Sequence, residues 1–519
     1  MTAAALLMRL WGLSGLPHGL HGDEAATGLD ARKILAGTDL FPYTPSALGQ
    51  PSGPMYWAAL WIKLLGSTIF AVRLAMALLG VGTVVLGYYA FRLLFGRPVA
   101  WAGATMLAFS SWLVFYNRTG FTASAMPFTE MAALLAVAVA LRKGSPAWFI
   151  LAGAVVGAGI YGYFSFPLFA VALAVWLVLH ALVERLRPFG LTEPFWLHAR
   201  NGALMALTAL LLIQPMWPYF TGKNQGYTHD RQVFALSKTQ AYQQADTLGR
   251  VRLYWDNARH VINVLREGGH PDASDGSGEV SALDPLLVVL SLAGAALCAV
   301  LAVTRKRAAY LLPLIVVPIV LIGPIWSAGG VHRRSLGILP FVIMPAAVLL
   351  GTAWEWLRDH GRPGLAAAAL CVPLALFAAT NIDRYFRQTP DSQVMLFTYA
   401  PELTDAALLI DAQPRDVHVY FASGRWSAGY ETVQYLVPNR ALGDGTLEDR
   451  SKEFSKITGY GGLDRTHPAL IVLMNNYMQD ADKVAAEYPE AKKLVGATVN
   501  RLPAFIAFSI PARQATGAP

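Results

Sequence analysis

The residues best equipped for chemistry stand near the N-terminus, in the run His21-Gly22-Asp23-Glu24. Two adjacent carboxylates at the outer mouth of an apolar segment suit proton abstraction from a hydroxyl, or metal ligation. They also suit a structural task. Asp23 is placed to cap the helix that follows, and Glu24 to favour its positive end. The tasks are compatible, and spacing alone leaves both open. A second group, His332-Arg333-Arg334, falls on a very short loop between two apolar runs. Guanidinium groups hold phosphate through paired hydrogen bonds, so this group reads as a phosphate site or as an anchor to lipid headgroups. Arg118, Lys223 and Arg231 are candidate substrate contacts on outer loops, as is His229, with a solvated face as the ordinary alternative. Glu130 stands one turn into its helix and faces a polar cavity or a hydrogen-bonding neighbour. Asp272, Asp275 and Glu279 lack the spacing of a calcium loop. Asp284-Pro285 reads as an N-cap followed by proline at the first helical position.

These groups are carried by apolar helices. Of 519 residues, 55% are hydrophobic and 14% charged, against about 25% charged in a soluble domain. Apolar runs at 1–16, 70–94, 99–116, 125–141, 147–163, 164–183, 202–219, 282–303, 309–326, 335–352 and 364–380 predict about eleven crossings. The first is short, and its helix is expected to begin upstream of Met1. Residues 1–16 lack the basic start and Ala-x-Ala exit of a cleavable signal peptide. Arg97, Arg142, Lys143, Arg185, Arg187, Arg200, Arg305, Lys306, Arg307, Arg358 and Arg362 lie on one set of short loops. The opposite set holds Arg118, Arg333 and Arg334. That bias puts the first set and the N-terminus in the cytoplasm. Residues 17–69, 220–281 and 381–519 are then outside. The net charge of +8 belongs to these basic inner loops, so no nucleic-acid partner is expected. Cys298 and Cys371 both fall in apolar runs and suggest neither a disulfide framework nor a zinc site.

The outer segments are large enough to build a site. Residues 24–36 predict a short helix ended by Gly37. Residues 54–65 predict an interfacial helix ended by Gly66, with Trp57 and Trp61 at headgroup depth. An amphipathic stretch lies near 250–266. Past 381, the runs 417–422, 469–475 and 505–510 alternate with helical stretches at 401–411, 427–436 and 479–487, an α/β pattern. No GxGxxG follows a strand, so no nucleotide is assigned. The expected fold is mainly α: a polytopic transmembrane helical bundle over 1–380 and a soluble extracytoplasmic α/β domain over 381–519.

The run RLWGLSGLPHGLHGDEAATGLDARKILAGTDLFP carries an Asp-Glu pair in the first outer loop. QPSGPMYWAALWIKLLGSTIFAVRLAMALLG, FYNRTGFTASAMPF, GIYGYFSFPLF and HRRSLGILPFVIMPAAVLL follow in order. Together they resemble the GT-C glycosyltransferases, specifically bacterial relatives of protein O-mannosyltransferases and of lipid A aminoarabinose transferases. The resemblance covers residues 1–352. It implies inverting transfer of a sugar from a polyprenyl-phosphate donor to a protein, lipid or glycan acceptor outside the cytoplasmic membrane. It makes Asp23 the general base and Glu24 its neighbour in the acidic motif. Arg333 and Arg334, with His332, become the donor-phosphate contacts. A divalent cation is left open. One departure stands out: relatives often have an acidic residue in the stretch matching TGFTASAMP, where this chain has Thr122 and Ser124. A non-catalytic relative and a lipid or solute transporter are the competing readings; a transporter would carry inverted repeats, and none is visible.

Overall fold

A computed structural model describes residues 1–185, 195–221, 234–267, 280–329, 331–390, 392–451, 460–496, 498–499 and 502–513. Lys223, His229, Arg231, Asp272 and Asp275 lie outside the described residues, as does Glu279. The chain opens with α1 (Thr2–Leu10), α2 (Gly22–Leu35) and α3 (Gly53–Leu65). There follow α4 (Ile69–Phe95), α5 (Arg97–Phe109), α6 (Ser111–Asn117), α7 (Ala125–Lys143), α8 (Pro146–Gly159), α9 (Phe166–Arg185) and α10 (Phe195–Ile213). Among the described residues, eight helices are long and apolar enough to cross a membrane, or nine if one bent pair counts as a span.

Three of the runs behind the expected count of about eleven fall outside these eight. The run 1–16 yields only the nine residues of α1. The run 99–116 becomes α5 and α6, bent by 57°. Ser110 causes the break: its backbone leaves helical geometry, and its hydroxyl accepts from the Leu113 N–H to start α6. The run 147–163 yields α8, an apolar helix of 14 residues that is shorter than the eight.

Local signals explain the element ends. Gly66 closes α3 with φ +81°, a conformation open to glycine. Thr68 then caps α4 by accepting from the Ala71 N–H. Asp284 accepts from the Leu286 and Leu287 N–H groups and is followed by Pro285 at the first helical position of Pro285–Thr304. Trp57 donates its indole N–H to the Ala75 carbonyl, 2.7 Å away, so it packs onto α4.

Arginines tie the segment between α1 and α4 to the bundle. Arg73 is fully buried in α4 and donates to the carbonyls of Leu13, Pro17 and Gly19. Arg118 is equally buried. Its guanidinium donates to the carbonyls of Met8 (3.1 Å), Trp11 and Leu16, and to the Tyr385 hydroxyl (2.9 Å). This corrects the substrate-binding expectation for Arg118, whose donors serve the orphan carbonyls where α1 ends.

The C-terminal part forms a five-stranded mixed sheet. Its strands in chain order are β1 (His418–Ser423), β2 (Leu447–Asp449), β3 (Ala469–Met474), β4 (Lys492–Val495) and β5 (Phe505–Ile510). The spatial order is β2-β1-β3-β5-β4, with β1 parallel to β2 and β3 and the other pairs antiparallel. Alternate residues feed the two faces. Tyr420, Ile471 and Phe508 pack under Val484 on one side. Val419, Phe421 and Val472 share a core with Ala25 of α2, Ala58 of α3 and Val72 of α4 on the other. The sheet is thereby fastened to α2, α3 and α4.

Candidate active site

The start of α2 decides which carboxylate faces outward. His21 is the N-cap: its Nδ1 accepts from the Asp23 N–H at 3.0 Å, while Glu24 Oε1 accepts from the His21 N–H at 3.3 Å. This reciprocal capping box overturns the reading of Asp23 as the cap. Glu24 turns inward and is fully buried. It pairs with Arg73 (2.9 and 3.2 Å) and accepts from the Gly120 N–H at 2.7 Å. Successive helical side chains diverge by about 100°, so Asp23 points elsewhere.

Asp23 faces a cavity of about 440 Å³ whose lining includes His21, Gln50, Phe121, Thr122, Phe234, Arg333 and Arg334. Arg333 Nη1 donates to Asp23 Oδ2, joining residues 310 apart in sequence, and both side chains are about one-third exposed. The Arg333 guanidinium also lies over the Phe121 ring, 4.8 Å from its centroid. Arg334 is held over the Phe234 ring at 4.3 Å and donates to the Ala328 carbonyl at 3.3 Å. Such stacking fixes a guanidinium plane while leaving edge N–H groups to meet an anion. Thr122 takes part as well, donating to Gln50 Oε1 at 2.7 Å. The loop without its acidic residue thus lends a hydroxyl to the wall.

His332, grouped with the arginines in the sequence, does not line the cavity. It is fully buried, with Nε2 3.0 Å from the Val264 carbonyl and its ring beside Trp112. A four-residue helix, Val331–Arg334, separates the three side chains and sends His332 inward. Glu130 is buried too, near Gly337, and neither carboxylate oxygen has a hydrogen-bond partner among the described residues. A divalent cation at the cavity would find one carboxylate, Asp23, and one imidazole, His21, in the lining.

Some neighbours of the site were not anticipated. Tyr430, from the C-terminal domain, sits so close to the start of α2 that a Cβ on Gly22 would meet its hydroxyl at 2.5 Å. Burial pushes the Tyr430 phenol above its ordinary range, and the Glu431 and Asp23 carboxylates add to the shift. Arg73 carried a usable signal: a lone arginine within an apolar run needs a partner. A second cavity of about 400 Å³ is almost wholly apolar, lined by Leu265, Leu292, Val317, Leu321, Phe341 and neighbours. Ile338, four residues beyond Arg334, lies in its wall.

The arrangement is a polytopic helical fold that holds an acid–arginine pair beside a cavity. Crystal structures of ArnT from Cupriavidus metallidurans share it at TM-scores of 0.53, bound to undecaprenyl phosphate, and 0.54, in the apo state. Identities are 15% and 14%; the matches cover 100% and 98% of this chain and 98% and 96% of theirs. The archaeal oligosaccharyltransferase AglB from Archaeoglobus fulgidus, in complex with an inhibitory peptide and a dolichol-phosphate, matches at 12% identity and TM-score 0.50. That match covers 84% of this chain and 62% of AglB. No curated protein matches the chain in sequence. The chain thus shares the fold of these enzymes. Residues 50–219 match the family described as dolichyl-phosphate-mannose-protein mannosyltransferase.

Proposed function

We propose that the chain transfers a hexose or pentose from a polyprenyl-phosphate donor to an acceptor at the outer face of the cytoplasmic membrane, inverting the anomeric carbon. The observation that carries this reading is the sharing of one cavity by Asp23, Arg333 and Arg334. Asp23 accepts the proton of the acceptor hydroxyl as its oxygen attacks the anomeric carbon. The bond from that carbon to the phosphate oxygen breaks, and the charge on the departing polyprenyl phosphate is met by Arg333 and Arg334. In the structure Arg333 holds Asp23; a donor phosphate competes for the same guanidinium and frees the carboxylate for the acceptor. The apolar cavity beyond Ile338 suits the polyprenyl tail. The polyprenyl phosphates in the ArnT and AglB structures support this donor class.

The decisive experiment reconstitutes the purified chain with a polyprenyl-phosphate sugar and follows release of polyprenyl phosphate alongside acceptor glycosylation by mass spectrometry. Donor binding without release would make the chain a non-catalytic relative. Movement of intact lipid across the bilayer without sugar transfer would make it a transporter.

Replacing Arg333 and Arg334 together by Ala is expected to raise the donor KM about 10- to 100-fold, from the loss of charge-assisted hydrogen bonds. A single Lys replacement should cost less but still measurably, because Lys lacks the planar fork. An unchanged donor KM in the double variant would reduce the pair to lipid anchors.

The orientation rests on the basic bias of the short loops. A reporter fused after Lys143 or Arg307 should read as cytoplasmic, and one at the C-terminus as extracytoplasmic. A cytoplasmic C-terminus would put the cavity on the wrong side for this donor.

A further inference from the structure

Three side chains with metal-ligating atoms meet on the sheet, apart from the cavity. His418 opens β1, while Asp464 and His467 lie in the turn that leads into β3. Because β1 and β3 run parallel with His418 opposite Ala469, the start of one strand lies against the chain entering the other. The His418 N–H donates to the Pro468 carbonyl at 2.8 Å and fixes that register. The turn is held from within: Asp464 Oδ1 accepts from the Thr466 N–H (2.9 Å) and hydroxyl (2.6 Å). Asp464 Oδ2 is left facing both imidazoles, 3.9 Å from His418 Nδ1 and 3.8 Å from His467 Nδ1. The two rings stack at 15°, with centroids 4.4 Å apart.

We propose that His418, Asp464 and His467 form a binding site for one divalent transition-metal ion of the zinc type. Their donor atoms lie within 4.8 Å of one another, and among the described residues no other group of three His, Cys, Asp or Glu side chains does this. Two imidazoles and a carboxylate match the donors that zinc takes at about 2.0–2.2 Å. Magnesium and calcium prefer all-oxygen shells, so the same set selects against them. Ligand contraction to those bond lengths needs only side-chain rotation, since Asp464 and His467 are each about half exposed. Three protein ligands leave a fourth tetrahedral position for water or an outside group.

The site lies away from the transfer chemistry. From His418 to Ser423 the strand extends about 16 Å, and it is the Ser423 end that leads to Tyr430 and α2. The ion's effect is therefore to pin the 464–467 turn to the sheet, and this inference stands apart from the transfer reading. The test is calorimetric titration of the tag-free, full-length chain with zinc chloride, beside His467→Ala and Asp464→Asn. The second substitution keeps an amide oxygen for the turn but removes the carboxylate charge. Wild type should bind one more equivalent of zinc than His467→Ala, with a zinc-induced rise in Tm that this variant lacks. Asp464→Asn should weaken that equivalent at least about tenfold. The metal-free Tm of both variants, set beside that of wild type, checks that each is folded. Equal zinc stoichiometry and affinity in wild type and both folded variants would overturn the proposal.

Discussion

Replacing Asp23 by Asn should give a folded, donor-binding protein in which sugar transfer falls about 10²–10⁴-fold, the range of a positioned general base. The geometry makes this substitution unusually clean. Helix α2 is started by the His21 ring and the Glu24 carboxylate, so its capping box survives the change. The amide oxygen introduced by Asp23→Asn can still accept from Arg333, which preserves the contact across the cavity while removing the proton acceptor. The measurement is transfer rate and donor affinity beside the thermal unfolding of each variant. Near-normal transfer in a well-folded Asn variant would remove Asp23 from the mechanism.

Glu24→Gln should fail in the opposite manner. Glu24 and Arg73 are both fully buried. Removing one partner of a buried ion pair leaves an uncompensated charge and costs about 3–5 kcal/mol. The expected result is a large drop in thermal stability and in the yield of folded protein, with transfer per folded molecule much closer to wild type. Adding Arg73→Met removes the stranded charge but orphans the carbonyls of Leu13, Pro17 and Gly19. The double variant should therefore recover only part of the lost stability. A Glu24→Gln protein with wild-type stability and no transfer would exchange the roles assigned to the two carboxylates.

The contrast between these neighbours marks what the sequence could and could not convey. Apolar runs and their breakers located the long helices, the cap at Asp284 and the closure of α3 at Gly66, because those signals act within a few residues. The strands were visible for the same reason: Val419, Phe421 and Val472 belong to short apolar runs with β-branched and aromatic members. The acidic pair was visible too, yet which carboxylate faces the cavity depends on where α2 begins. That start is set by His21, and histidine is a less familiar cap than Ser, Thr, Asp or Asn. Arg118 was misread because its partners, Met8, Trp11 and Tyr385, are distant in sequence and mostly offer backbone carbonyls. Short strands such as β2 and β4 were missed because they have few apolar residues: Leu447 alone is buried in β2.

The close seating of the C-terminal domain on α2 bears on how such proteins can be recombined. Gly22 and Gly28 leave no room for a Cβ beneath Tyr430 and Tyr435, whose nearest atoms would stand 2.5 and 2.4 Å away. Tyr435 donates onward to the Thr68 carbonyl, and Thr432 to that of Leu20. The helix bearing Asp23 is thus wedged between a membrane arginine on one flank and two tyrosines on the other. The C-terminal part is then no interchangeable cassette. A chimaera that joins this bundle to another relative's tail inherits a helix whose rotation is set by a mould it no longer has, unless glycines and tyrosines are transplanted as a matched set.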